Sequence, residues 1–205
     1  MALRMKKYTQ NCDKGKLPLE ERFRHVISWP VQLEKATFAL GNVHEENYTT
    51  PSGSIEYHTG IDLHCFSGTP VFAPENSYLL LALQDNRPAK QKVDLYLQGQ
   101  KTKIIYSFCH LDFESLPKKI KEVNGRGEYR YFQIIDGELL GAVGKWHQCM
   151  TNYPNYDNQL VKLFGNRCDH LHISTSLPAE EDFKKQRIFS WTDEFNPLLI
   201  LKRLE

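Results

Sequence analysis

The segment "KVDLYLQGQKTKIIYSFCHL" (92–111) carries the clearest fold signal in the sequence. Apolar side chains alternate at Val93, Leu95 and Leu97, which is the period of a β-strand with one buried face. Gly99 follows at the position of a turn, and a return stretch rich in β-branched and aromatic residues comes after it. The segment therefore predicts an antiparallel hairpin.

Further strand signals lie on both sides of this hairpin, bounded by prolines, glycines and polar residues. They are "PVFAP" (70–74), "SYLLLALQ" (77–84), "EYRYFQIIDGELLGAVG" (128–144), which holds two strands around the turn pair Asp136-Gly137, and "DHLHIST" (169–175). Helical signals are short: they lie at 17–29 and 114–123, and "PAEEDFKKQRI" (178–188) is either a charged helix or a solvated face. The sequence predicts a mainly β fold: an antiparallel β-sheet with a barrel- or sandwich-type core, few short helices and loop insertions.

A chain of 205 residues is long enough for one domain with extensions. We predict an N-terminal extension with a short helix over 1–27 and a core over 28–177. The core contains an insertion over 145–168. We predict that residues 178–205 form a C-terminal extension that packs on the core.

Composition narrows the function classes. The net charge is +1 and the basic and acidic residues are intermixed, so we expect no nucleic-acid partner. The longest apolar run, "YLLLAL" (78–83), is far shorter than the roughly 18–20 residues of a membrane span. "MALRMKKYTQ" (1–10) is not a signal peptide. We expect a periplasmic or secreted protein if a signal has been removed, and a cytoplasmic or non-classically exported protein otherwise.

The five cysteines are scattered along the chain and include no C-x-x-C pair, which argues against a zinc ribbon. We expect them to be mostly buried free thiols, and they leave the redox compartment undecided. They are Cys12, Cys65, Cys109, Cys149 and Cys168.

Histidine-bearing segments are candidates for a metal site. On a strand, His170 and His172 share a face about 7 Å apart, so both imidazoles can point into one site. His58 and Asp62 would lie about 13 Å apart on a straight strand, too far to share one ion. A bend at Gly60 would bring both inward. Two imidazoles and one carboxylate leave a coordination position open for water, as in catalytic zinc sites.

Several segments together resemble one protein family. "HTGIDLHCFSGTPVFAP" (58–74) is similar to the opening motif of the lysostaphin-like, or LytM-type, zinc metallopeptidases, H-x-G-x-D followed by G-T-P-V-x-A. The later family motifs follow in the same order, and flanking segments at 28–31 and 195–201 also match. These motifs are "FCHL" (108–111), "GELLGAVG" (137–144) and "DHLHI" (169–173). The ordered set is far more specific than any one motif.

The resemblance implies an activity and a set of roles. Members cleave peptide bonds in bacterial peptidoglycan, which implies a peptidoglycan peptide as substrate, one zinc ion per chain and, as we expect, a monomer. His58, Asp62 and His172 match the zinc ligands, and His110 and His170 match the active-site histidines. Zinc-bound water has a pKa near ~7, and a nearby histidine suits the role of proton acceptor.

Departures from the family pattern keep alternatives open. His64 stands where a small residue is usual; it either crowds the site or packs, and we favour packing. Asp169 replaces a proline, and the insertion at 145–168 replaces a short turn. One alternative is a non-catalytic scaffold of the same fold that binds cell wall or a division partner. The other is a metallopeptidase that acts on a different peptide.

Overall fold

The computed structural model describes three long stretches of the chain and several short ones. The described residues are 26–32, 34, 36–40, 47–49, 55–57, 60–84, 92–122, 132–145, 169–176, 194–195, 197 and 200–202.

Strands dominate the described residues, and helices are short. The strands are β1 (Ala36–Leu40), β2 (Asn47–Thr49), β3 (Ile55–Tyr57), β4 (Ile61–Cys65), β5 (Pro70–Phe72), β6 (Ser77–Gln84), β7 (Lys92–Gly99), β8 (Ile105–Asp112), β9 (Phe132–Ile134), β10 (Leu139–Ala142), β11 (His170–Ser176) and β12 (Glu194–Phe195). A 3₁₀ turn (Phe113–Ser115) and helix α1 (Lys118–Lys121) follow β8. The predicted helical segment 114–123 is thus split into two short pieces, and α1 begins directly after Pro117, a position where proline is tolerated.

One large sheet organises the described chain. Its strand order is β1-β4-β11-β8-β7-β6-β9, with β12 paired to β11, and the neighbours in it run antiparallel. Strands β5 and β10 form a small antiparallel sheet, and so do β2 and β3. The prediction of a mainly β, antiparallel fold is confirmed.

The predicted hairpin at 92–111 is present as β7 and β8. Its apolar alternation points Leu95 and Leu97 to the core, where each is 0% exposed, while the residues between them are half-buried. The hairpin closes through Gly99, whose N–H donates to the Ile104 carbonyl oxygen at 2.9 Å. The sequence period and the register agree from Leu95 to Gln98, where the pairing with β8 is regular.

A buried polar cluster fastens the turn of this hairpin. The Glu75 carboxylate accepts hydrogen bonds from the hydroxyls of Thr102 and Tyr106 and, at 3.2 Å, from the Lys101 N–H. Burial, and then the negative charge of Glu75, raise the pKa of the Tyr106 phenol, so Tyr106 stays a donor. A side chain at Gly99 would collide with this carboxylate, which explains the glycine at the turn.

The two strands predicted around Asp136-Gly137 are present, but they pair with different partners. β9 extends the large sheet beside β6, and β10 pairs with β5 in the small sheet. The turn between them holds Gly137 at φ 75°. β10 and β5 contribute Leu140 and Val71 to the same buried apolar cluster as the large sheet.

The described part of the predicted helix at 17–29 is not helical. Ile27 instead forms a parallel β-bridge with Leu201, and the Trp29 indole N–H donates to the Lys202 carbonyl oxygen at 2.8 Å. Residues 1–25, nearly all of the 145–168 insertion and most of 178–205 lie outside the described residues, so the predicted domain boundaries stay predictions.

The structure also describes two of the five cysteines and the length of the helices. Of the cysteines that the structure describes, Cys65 and Cys109 are free thiols; Cys65 is buried and Cys109 is half-buried. Within the described ranges, no helix is long and apolar enough to cross a membrane.

Candidate metal centre

Strands β4 and β11 place four polar residues on one face of the large sheet. His172 lies opposite Asp62 and His170 lies opposite His64 in the antiparallel register. The residues between them, such as Leu63 and Leu171, point to the opposite, apolar face and are 0% exposed. Because directly opposite residues project to the same side, the period-2 pattern of both strands concentrates the acid and the histidines.

Asp62 and His172 are joined directly. Nδ1 of His172 lies 2.8 Å from Oδ1 of Asp62, and Nε2 of His170 lies 3.8 Å from Oδ2 of the same carboxylate. Asp62 is 2% exposed, so the carboxylate is withdrawn from water and held beside two imidazoles. A buried carboxylate is costly without such partners, so these contacts hold it in place.

The second ring nitrogen of His172 also has a partner. Nε2 lies 2.9 Å from the Ser174 hydroxyl, two residues further along β11 on the same face. A serine hydroxyl can donate or accept, so it satisfies Nε2 in either tautomer of the ring. Residues that hold the far nitrogen of a histidine fix its orientation toward a metal.

His110 reaches the same face through a β-bulge in β8. Val93 pairs with Leu111 and Leu95 pairs with Phe108, so Asp94 alone opposes both Cys109 and His110. His110 has φ 70°, the left-handed conformation that a residue with a side chain seldom adopts. The extra residue keeps Phe108 and Leu111 in the core and turns His110 to the polar side.

Hydrogen bonds pin the bulge from both sides. The His110 N–H donates to Oδ1 of Asp94 at 3.0 Å, and the Gly144 N–H donates to the His110 carbonyl oxygen at 2.8 Å. A Cβ on Gly144 would lie 2.9 Å from that carbonyl oxygen, so the close approach requires glycine. The last glycine of "GELLGAVG" therefore serves the site by allowing contact with the bulge.

The imidazole of His110 packs against those of β11. Its ring centroid lies 4.8 Å from that of His170, edge to face, and 6.1 Å from that of His172. Burial, followed by the neighbouring His170, His172 and Lys92, lowers the pKa of His110 well below its usual 6.5, against the opposing effect of Asp62. His110 is therefore neutral near pH 7, and one of its two ring nitrogens carries no proton.

Gly60 precedes β4 and allows it to lie against β11. A Cβ on Gly60 would stand 2.0 Å from the Ile173 carbonyl oxygen, which no side chain can tolerate. The chain bends at Gly60, as expected from the sequence. The close approach of the β11 backbone gives this glycine a second purpose, which the sequence pattern did not indicate.

Four of the five predicted site residues come together on this face: Asp62, His110, His170 and His172. His58, the predicted first ligand, lies outside the described residues. Among the residues that the structure does describe, no three His, Cys, Asp or Glu side chains are grouped to hold a metal ion. The described donors, a carboxylate oxygen and an imidazole nitrogen 2.8 Å apart, are types that zinc accepts, and His58 is needed to complete the set.

The structure also brings in residues that the sequence did not single out. Ser174 was visible as the next same-face residue after His172, but a serine on a strand is too common to mark a site. Asp94 could not be assigned to the site from the sequence, because it faces His110 only through the bulge and the bulge was not predicted. His64 is 5% exposed and lies opposite His170, so it is buried within the polar face.

None of the family models matches the sequence, and no curated protein matches it. Among solved structures, the fold is similar to the solution structure of lysostaphin, with 14% identity and a TM-score of 0.43 over 78% of this chain and 49% of that chain. The catalytic domain of the antimicrobial peptidase lysostaphin from Staphylococcus simulans gives 15% and 0.45, over 78% of this chain and 86% of that one.

A zinc-containing peptidase from Vibrio cholerae gives 13% identity and a TM-score of 0.44, over 74% of this chain and 37% of that chain. The chain thus spans about half of lysostaphin and little more than a third of the Vibrio cholerae peptidase. Identities and TM-scores at this level assign neither a family nor an activity.

Proposed function

We propose that the protein is a zinc metallopeptidase that hydrolyses peptide bonds in the cross-links or stem peptides of bacterial peptidoglycan. The observation that carries the proposal is the direct contact of Asp62 with His172 on neighbouring strands, with the rings of His110 and His170 on the same face. The ordered motifs of the sequence support the substrate class. A peptidoglycan substrate would place the protein in the periplasm or outside the cell.

In this proposal His58, Asp62 and His172 hold one zinc ion. Bound zinc would polarise the scissile carbonyl and lower the pKa of a coordinated water toward ~7. Nδ1 of His172 faces Oδ1 of Asp62, and Nε2 faces the Ser174 hydroxyl. Because a hydroxyl can donate or accept, Ser174 keeps a hydrogen bond to Nε2 in either tautomer and holds the ring beside Asp62.

The two remaining histidines are placed for proton transfer and charge stabilisation. His110 lies beside His170 and His172, and in this proposal it accepts the proton of an attacking water; burial lowers its pKa, so the ring is neutral before the transfer. His170, packed edge to face on His110, is suited to donate a hydrogen bond to the oxyanion that develops on the substrate carbonyl. Their contact lets one ring orient the other.

Metal content and hydrolysis test the proposal together. Purified protein should contain one zinc per chain by elemental analysis, and His172→Ala should lose most of it because Asp62 alone among the described ligands remains. Mass spectrometry of muropeptides from treated sacculi should show new peptide termini for the wild type only. A matched control is Gln98→Ala, on β7 away from the site, which should retain both properties.

The outcomes separate the alternatives. A wild type that binds no stoichiometric zinc would overturn the mechanism. Zinc at full occupancy without cleavage of any wall preparation would indicate a non-catalytic scaffold. Cleavage of other peptides but not of muropeptides would indicate a metallopeptidase of different specificity.

A further inference from the structure

We propose that Asp94 is a positioning residue for His110: its carboxylate holds the His110 backbone in the conformation that turns the imidazole toward the candidate metal centre. The inference rests on the proposed function, in which His110 takes part in hydrolysis. It adds to the site a residue that is not a metal ligand and that contacts no reacting atom.

The need for such a residue follows from the strand register. β8 must bury both Phe108 and Leu111, which are 1% and 0% exposed, although three positions separate them. A regular strand would send one of the two to the polar face, since successive side chains alternate. The bulge resolves the conflict, and it leaves Cys109 and His110 together opposite Asp94.

The bulge has a conformational cost that a local bond must offset. His110 carries its Cβ in the left-handed region, at φ 70°, and its N–H is removed from the regular ladder. Oδ1 of Asp94 accepts that N–H at 3.0 Å. A hydrogen bond to a carboxylate is about twice as strong as one between neutral groups, so it is well suited to hold a disfavoured conformation.

The position of Asp94 on β7 suits it to this task. It lies on β7 between Val93 and Leu95, both fully buried, so its side chain points to the polar face beside the bulge. It is half-buried, which limits competition from water.

The chain contains a matched comparison at the other end of the hairpin. Lys103 also adopts a left-handed conformation, φ 62°, and Gln98 on the same face of β7 donates from its side-chain amide to the Lys103 carbonyl oxygen at 3.4 Å. Gln98→Ala therefore removes a bond of the same general kind from the same strand, but away from the histidines.

The test compares Asp94→Ala, Asp94→Asn and Gln98→Ala in the full chain. We expect Asp94→Ala to accelerate exchange of the His110 amide hydrogen by at least about tenfold, measured by NMR. In the zinc-loaded protein it should lower kcat about 10- to 100-fold while KM and zinc content change by less than about threefold, because a displaced ring affects the chemical step. Asp94→Asn keeps an oxygen acceptor and should return both values to within about threefold of the wild type. Gln98→Ala should change neither.

Three results would overturn the proposal: an unchanged exchange rate at His110 in Asp94→Ala, equal loss of kcat in Gln98→Ala, or a folded Asp94→Asn variant as impaired as Asp94→Ala. If Asp94→Ala does not fold, the same two measurements, His110 amide exchange and kcat, are made on Asp94→Asn, and impairment of both would overturn the proposal. If the wild type neither binds zinc nor hydrolyses peptides, the proposed function fails, whereas the exchange rate still decides whether Asp94 holds His110.

Discussion

At the scale of single residues, the backbone of His110 adopts the left-handed conformation, which a residue with a side chain seldom adopts. A residue with a Cβ pays about 1–2 kcal/mol for the left-handed conformation, and glycine avoids this cost. A chain selected for stability alone would place glycine or asparagine there. His110 combines φ 70° with a position beside the candidate metal centre, and strained residues cluster at functional sites.

This strain gives a testable prediction. We expect His110→Gly to be more stable than His110→Ala by about 1 kcal/mol, since both lose the ring but only alanine keeps the unfavourable Cβ. Both variants should be inactive. Chemical denaturation checks the order of stability. Lys103, at φ 62° and exposed, is the control: Lys103→Gly and Lys103→Ala should differ in stability in the same direction without loss of activity. Equal stability of His110→Gly and His110→Ala would contradict strain at this position.

At the scale of elements, sequence periodicity predicted the strands well because each depends on its own pattern. β7 was expected from alternation and β8 from its β-branched and aromatic residues. The placement of His170 and His172 on one face followed from the two-residue period of a strand. The bulge at Cys109 and His110 was not predicted. It arises from the need to bury Phe108 and Leu111 together, a tertiary demand that no local pattern in "SFCHL" reveals.

Gly60 offers a second prediction at this scale, on the contact of β4 with β11. Gly60→Ala should cost about 1–3 kcal/mol of unfolding free energy, because its Cβ would meet the Ile173 carbonyl oxygen at 2.0 Å and push the strands apart. Zinc affinity should fall as well, since Asp62 and His172 sit on these two strands.

Gly68→Ala provides the comparison for Gly60→Ala. Its Cβ would meet nothing within 4 Å, so only the cost of φ 86° applies, about 1 kcal/mol, and zinc affinity should be unchanged. Urea unfolding and zinc titration measure both quantities. A Gly60→Ala variant as stable as Gly68→Ala, with unaltered zinc affinity, would refute the steric explanation.

At the scale of the whole molecule, described residues of the two predicted extensions pack against the apolar face of the large sheet. Ile27 and Leu201 form a parallel bridge, and both belong to the same buried apolar cluster as residues of β8 and β11, among them Phe108 and Ile173. The packing of the whole segment 178–205 on the core stays a prediction, and the helix predicted at 17–29 is absent at Ile27, which forms a β-bridge instead. The bridge joins segments 174 positions apart, from 27 to 201, which no local pattern can specify.

A substitution at Ile200 tests this packing. It is 0% exposed and belongs to the buried apolar cluster, so Ile200→Ala should cost about 2–5 kcal/mol in unfolding free energy through lost burial and the void that the truncation leaves. Ile135→Ala is the matched control, because Ile135 is 61% exposed and should change stability by less than about 0.5 kcal/mol. Guanidinium unfolding of the two variants provides the comparison; similar values would argue against a structural role for the 200–202 segment.

The contact between Asp62 and His172 also bears on the order in which the molecule assembles. The two residues are 110 positions apart, whereas the β7–β8 hairpin closes over a few residues at Gly99 and Ile104. Loop-closure entropy and contact order favour early formation of the hairpin and late docking of β11 against β4. A nascent chain would thus expose no complete set of metal donors until β11 has been synthesised, so any peptidase activity would begin only with the finished sheet.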